Sequence, residues 1–184
     1  MAFVVVYDAN VLYGNTLRDL LIRLAMVGRT QAKWTNGILD EMQRNLLANR
    51  PDISEEKFGK LRLLMNSAVR DSLIEGYEPL IEGLKLPDSD DRHVLAAAIK
   101  AGAQIIVTSN LKDFPPEDLA PWGIEAKSPD DFVLDQIDHD GRVVWACVQQ
   151  IADSRTNPPE TVDDVLDALE TAGLVESVAA LRAG

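Results

Sequence analysis

Two stretches of the chain are apolar, short and uninterrupted: "FVVVY", which ends at Asp8, and "AQIIV", which runs into "TSN". Such runs, bounded by polar residues, suit strands buried on both faces of a parallel sheet. Around them the period changes to that of a helix. Leu17, Leu20, Leu21 and Leu24 predict a helix over 15–27 with Gly28 as its stop. "QAKWT" predicts another strand. Thr35 or Asn36 caps the next helix, whose apolar stripe is Ile38, Leu39, Met42, Leu46 and Leu47. Ser54 opens a third helix reaching about Leu73, with Phe58, Leu61, Leu64 and Met65 on one face. "GYEPLIEGLKLP" predicts irregular backbone. Asp91 to Ala101 reads as a helix closed by Gly102, "PPEDL" as a turn of helix and "GIEAKS" as a short edge strand. Strand and helix signals in alternation predict an α/β fold with a parallel sheet and right-handed crossovers.

After Lys127 the strand signals stop. "SPDDFVLDQI" and "VVWACVQQI" predict two helices, and "NPPE" breaks the second. "TVDDVLDALETAG" opens on Thr161 and Asp164 at capping-box spacing and closes on Gly173. "LVESVAALR" finishes the chain. The expected organisation is an α/β domain over 1–127 and an acidic helical extension over 128–184.

Charge sharpens that division. The net charge is −12 over 184 residues. Residues 1–74 hold 10 basic and 8 acidic side chains, whereas residues 114–184 hold 4 and 15. Overall acidity argues against non-specific affinity for nucleic acid, but the first half escapes that argument. The acidic tail has three readings: it covers apolar surface, it repels non-cognate nucleic acid, or it mimics phosphate beside the basic half. No stretch approaches the roughly 20 apolar residues of a membrane span. "MAFVVVYDAN" reads as a first strand, not a signal peptide. Cys147 is the only cysteine, which excludes an internal disulfide and fits a cytoplasmic protein.

The candidate chemistry lies in carboxylates. Asp8 stands at the carboxyl end of the first strand, where open parallel sheets bind ligands. Asp113 follows the "IIVTS" strand by a few residues. Asp91 begins the helix that leads into that strand, so it falls on the same edge. Glu41 lies two turns into its helix and reaches that edge if it faces the sheet. Four acids on one edge repel one another unless something neutralises them. Oxygen donors without Cys or His suit Mg²⁺ or Mn²⁺, which can polarise a phosphodiester and activate a water.

"VVVYDANVLY", "ILDE" and "LPDSDDRHVLAAAIKAGAQIIVTSNLKDFP" together resemble the PIN-domain nucleases, in the VapC-type branch of toxin–antitoxin toxins. The similarity covers about residues 3–127. It implies a three-layer fold with a central mostly parallel sheet, and a Mg²⁺- or Mn²⁺-dependent endoribonuclease. On the family pattern Asp8, Glu41, Asp91 and Asp113 match the acidic quartet. Asn10 matches a polar position beside the first acid, and Asp88 an acid common in this branch. Asn110 stands where other branches often have Asp, so either Asp113 or Asn110 reaches the metal. Thr108 ends a strand at this edge and can hold a ligand carboxylate or form the turn. The resemblance also implies an RNA substrate, a VapB-type antitoxin and a homodimer, with helices 15–27 and 54–73 as candidate faces.

Other readings remain open. A phosphatase of the haloacid dehalogenase type needs an acid two places after the first Asp, where this chain has Asn10. A nuclease-inactive RNA-binding protein would not need the quartet. Asp90 reads as a solvated charge at a helix start. His93 lies about 200° around the helix from Asp91, which favours packing or surface.

Overall fold

The computed structural model describes residues 2–184. Strands β1 (Phe3–Tyr7), β2 (Thr30–Lys33), β3 (Ile105–Val107) and β4 (Glu125–Lys127) form one sheet in the order β2-β1-β3-β4. Every pairing is parallel, with Val5 opposite Ala32 on one side and Ile105 on the other. The two apolar runs occupy the centre: Val5, Val6, Tyr7, Ile106 and Val107 are fully buried. Helices cover both faces, as parallel sheets require. This is the α/β architecture expected, with an additional helical segment after β4.

Helix α1 (Ala9–Leu12) is a single turn capped by Asp8, and α2 (Asn15–Met26) follows. Thr35 caps α3 (Asn36–Asn49), its hydroxyl accepting from Ile38 N at 2.9 Å, and Ile38, Leu39, Met42 and Leu46 are buried as the stripe predicts. Ser54 caps α4 (Glu55–Ala68), which ends before the expected Leu73. Phe58 and Met65 are buried but Leu64 is 67 % exposed. Leu64 lies about 120° around the helix from Phe58, outside the narrow stripe that α4 buries. Trp34 extends the β2 edge instead: it donates to Ser72 O at 2.8 Å and accepts from Ile74 N at 2.9 Å. That bridge brings residues 75–83 across the carboxyl end of the sheet and onto α5 (Arg92–Ala101). Gly102 closes α5 in the left-handed region at φ 66°. The short helix α6 (Pro116–Leu119) leads to edge strand β4.

The segment after Lys127 forms α7 (Pro129–Ser154), α8 (Val162–Thr171) and α9 (Val175–Ala183). The two helices expected over α7 adjoin directly: Asp140 leaves helical backbone, and its side chain accepts from Arg142 N to restart the helix. α7 packs on α2, α8 and α9. Phe132 meets Tyr7 edge to face at 6.1 Å. One hydrophobic cluster runs unbroken from β1 to Leu181.

The acidic residues of this segment have local uses. Asp130 accepts from the backbone of Glu176 and Ser177 and fixes the start of α9. Asp164 completes the capping box with Thr161, Asp135 pairs with Lys127, and Asp163 and Asp167 pair with Arg182. Its ion pair to α2 is a basic one, Arg155 to Asp19 at 3.2 Å. Of the three readings of the tail, these contacts agree with covering apolar surface. Among the described residues no helix is long and apolar enough to cross a membrane.

Candidate active site

In the order β2-β1-β3-β4 the crossover from β1 runs to one side and that from β3 to the other, so the carboxyl ends of β1 and β3 form a switch point. Ligands bind at such switch points in open α/β sheets. Asp8 occupies this one and is 4 % exposed. Ala9 N donates to its Oδ1 at 2.8 Å, and the Thr108 hydroxyl donates to its Oδ2 at 2.9 Å. Asn10 Nδ2 reaches the same Oδ2 and Thr108 Oγ1, both at 3.2 Å, while Asn10 Oδ1 accepts from Ser109 N. Asn110 N donates to Thr108 Oγ1 at 3.1 Å. Thr108 thus uses its one donor and both its acceptor positions. The carboxylate is held from two strands whose residues are a hundred positions apart. Burial pushes the Asp8 pKa up, and the hydrogen bonds oppose that shift.

Asp91 ends the one-turn 3₁₀ segment Ser89–Asp91 at the mouth of α5. Its pKa is raised to about 7, first by burial and then by the charges of Asp8, Asp88, Asp113 and Glu41. The other three acids of the expected quartet, with Asp88, therefore act on Asp91. Glu41 is half-buried on α3, and its pKa is raised by burial and by Asp88 and Asp90, against Arg44. Asp113 is half-buried in the 3₁₀ turn Leu111–Asp113. Asn110 caps that turn; its recorded contribution is the backbone bond to Thr108, and its side chain is exposed. Asp88 caps the 3₁₀ turn, accepting from Asp90 N at 2.9 Å.

His93 is half-buried on α5, its Nε2 4.0 Å from Glu41 Oε1; burial holds its pKa below the ordinary value, against the charge of Asp8.

The donor set suits a hard divalent cation: carboxylate oxygens, with no thiolate near. Among the described residues no three of the acid, His or Cys side chains are close enough to form a ready cage. The carboxylates share a field without closing to that distance. The field has a measurable consequence. In metal-free protein the folded state retains the Asp91 proton up to about pH 7, whereas the unfolded chain releases it near pH 4. Between those values the folded state binds more protons, so stability falls as pH rises. The melting temperature in EDTA is expected to drop from about pH 5 to 8 more steeply than in Asp91→Asn, by differential scanning calorimetry at each pH. Parallel curves for the two proteins would contradict the shared field.

Three comparisons bear on identity. A model described as the "VapC50 C-terminal domain" matches residues 129–183. The protein named "Putative ribonuclease VapC50" of Mycobacterium tuberculosis (strain ATCC 25618 / H37Rv) is 45 % identical over 94 residues, which is 51 % of this chain and 55 % of the relative. The chain thus spans about half the length of that curated relative. No solved structure matches. A "PIN domain" model matches residues 4–112, more than half of the chain and the whole stretch from β1 through Asn110. By that match, and with its parallel sheet and acidic switch point, the chain belongs to the PIN-domain family.

Proposed function

We propose that this protein is a divalent-metal-dependent endoribonuclease and the toxin of a VapC-type toxin–antitoxin pair. The observation that carries this reading is Asp91, whose carboxyl is raised to about 7 by burial and by the joint charge of Asp8, Asp88, Asp113 and Glu41 at a sheet switch point. Family membership and the similarity to a protein named as a ribonuclease support it.

Asp8, Glu41, Asp91 and Asp113 would hold Mg²⁺ or Mn²⁺. Such an ion, when bound, polarises the phosphodiester and lowers the pKa of a water for in-line attack. The chain's own residues do the positioning. Thr108 and Asn10 fix Oδ2 of Asp8, and Ala9 N fixes Oδ1, so this acid cannot swing. Asn10 is an amide donor to Asp8, which leaves no second acid for a phosphatase of the haloacid dehalogenase type. Asp88 and Asn110 hold the turns that carry Asp91 and Asp113.

Partners follow from the same reading. A groove of about 480 Å³ between α2, α3 and α4 has Leu46, Phe58 and Leu61 on its apolar side and Arg18, Arg50 and Lys57 around it. It suits the amphipathic segment of a VapB-type antitoxin. The exposed Leu63 and Leu64 on α4 suit a homodimer contact. An RNase with an RNA target and an antitoxin acts in the cytoplasm.

The test is incubation of total cellular RNA with purified protein and Mg²⁺ or Mn²⁺, beside an EDTA control. Discrete fragments that disappear with EDTA are expected, and their identity names the target class. Intact RNA under both metals, with divalent binding verified by calorimetry, would overturn the ribonuclease reading.

A further inference from the structure

Beside the carboxylate edge lies a cleft of about 420 Å³ that the metal chemistry leaves unused. It joins that edge through Glu41 and His93, and Gly37, Arg44, Tyr77 and Ile81 complete its sides. Tyr77 comes from the segment that the Trp34–Leu73 bridge pulls over the sheet end. It is half-buried and its hydroxyl makes no recorded hydrogen bond within the chain.

Gly37 leaves the floor of the cleft open. It lies in the first turn of α3, where glycine is a poor helix former, and no left-handed backbone requires it. A methyl group there would stand 3.4 Å from the Tyr77 hydroxyl and 3.7 Å from His93 Nδ1. Any larger side chain would fill the cleft.

The opening carries the acids Glu78, Asp90 and Asp40, the last of which pairs with Arg62, and the strong cation Arg44 beside Glu41. Glu78 and Asp90 line the cleft and neither side chain has a recorded hydrogen bond or ion pair. Such carboxylates accept hydrogen bonds from N–H groups and repel phosphate. An aromatic face suits stacking on an unpaired base, and Arg44 supplies a cation for a phosphate beside it. Guanine presents a ring N–H and an amino group together, the best match to a carboxylate pair, whereas uracil presents a single N–H.

We propose that this cleft is the subsite for one unpaired nucleobase next to the scissile phosphate, with Tyr77 as its stacking face and Glu78 and Asp90 selecting guanine. The proposal rests on the ribonuclease reading and adds how the substrate is chosen.

The test uses full-length protein and fluorescein-labelled U-rich RNA hexamers that carry one central G, A, C or U. Binding is read by fluorescence polarisation with Ca²⁺, and cleavage with Mg²⁺. Wild type is expected to bind the G hexamer best. Tyr77→Ala is expected to weaken G-hexamer binding about tenfold, on the scale of one base–aromatic stack, and to raise KM with little change in kcat. Tyr77→Phe restores binding to within about twofold, and Glu78→Gln with Asp90→Asn narrows the gap between G and U. Gly37→Leu repeats the Tyr77→Ala loss by filling the cleft. Far-UV circular dichroism checks that each variant is folded. If wild type cleaves and Tyr77→Ala keeps the same KM and base preference, the subsite is wrong and the ribonuclease reading stands. If wild type neither binds nor cleaves any hexamer or cellular RNA, both fall.

Discussion

Asp8→Asn is expected to lower RNA cleavage by at least roughly 100- to 1,000-fold, the scale on which removing a preorganised charged or polar group from a reaction centre acts. The substitution keeps the shape of the side chain. An amide oxygen can still accept from Ala9 N or Thr108, so the link between β1 and β3 survives in part. It also removes a buried charge that the protein holds at a cost, since burial raises the Asp8 pKa. The metal-free variant is therefore expected to melt at the wild-type temperature or above it, within about 1 kcal/mol. Cleavage assays with Mg²⁺ and scanning calorimetry in EDTA check the two halves together. A variant that cleaves at the wild-type rate would remove Asp8 from the mechanism. One that unfolds would show that its role is structural.

Phe132→Ala is expected to destabilise the protein by about 3–5 kcal/mol. Phe132 is 1 % exposed and packs edge to face on Tyr7, the last residue before Asp8. Tyr7 is itself fully buried, and its hydroxyl donates to Leu21 O at 3.1 Å. The expected loss is a large share of the 5–15 kcal/mol that holds a typical domain together. Urea denaturation followed by tryptophan fluorescence measures it. Deleting 128–184 removes the same contact along with Val133, Val144, Val148 and Ile151, all fully buried. That truncation is expected in the insoluble fraction. A soluble, folded truncation with faster cleavage would instead support an inhibitory tail.

The parts of this molecule that were legible in its sequence are those governed by local rules. Unbroken apolar runs marked β1 and β3, because a central parallel strand has no polar face. Thr35, Ser54, Gly102 and the Thr161–Asp164 box marked helix ends through hydrogen bonds that span only three or four residues. Asp8, Asp91 and Asp113 could be placed toward one edge by topology alone, whereas Glu41 depended on which way its helix faced. What escaped depended on contacts between distant segments. Trp34 pairing with Leu73 is a tertiary choice that no periodicity announces. Leu64 shares its composition with the buried face but lies outside the arc that α4 covers. Tyr77 lay in a stretch read as irregular, and its nearness to Gly37 exists only after the chain has crossed the sheet.

The bond from Thr108 to Asp8 spans a hundred residues, and Phe132 lies further on still. A chain made from its N-terminus produces Asp8 well before the partners that orient it. β1 must wait for β3 before it has both neighbours, and non-local pairings of this kind form slowly. Tyr7 remains uncovered until the start of α7 has been made. The carboxylate edge is thus complete only after β3 and the first turn of α7 have been made.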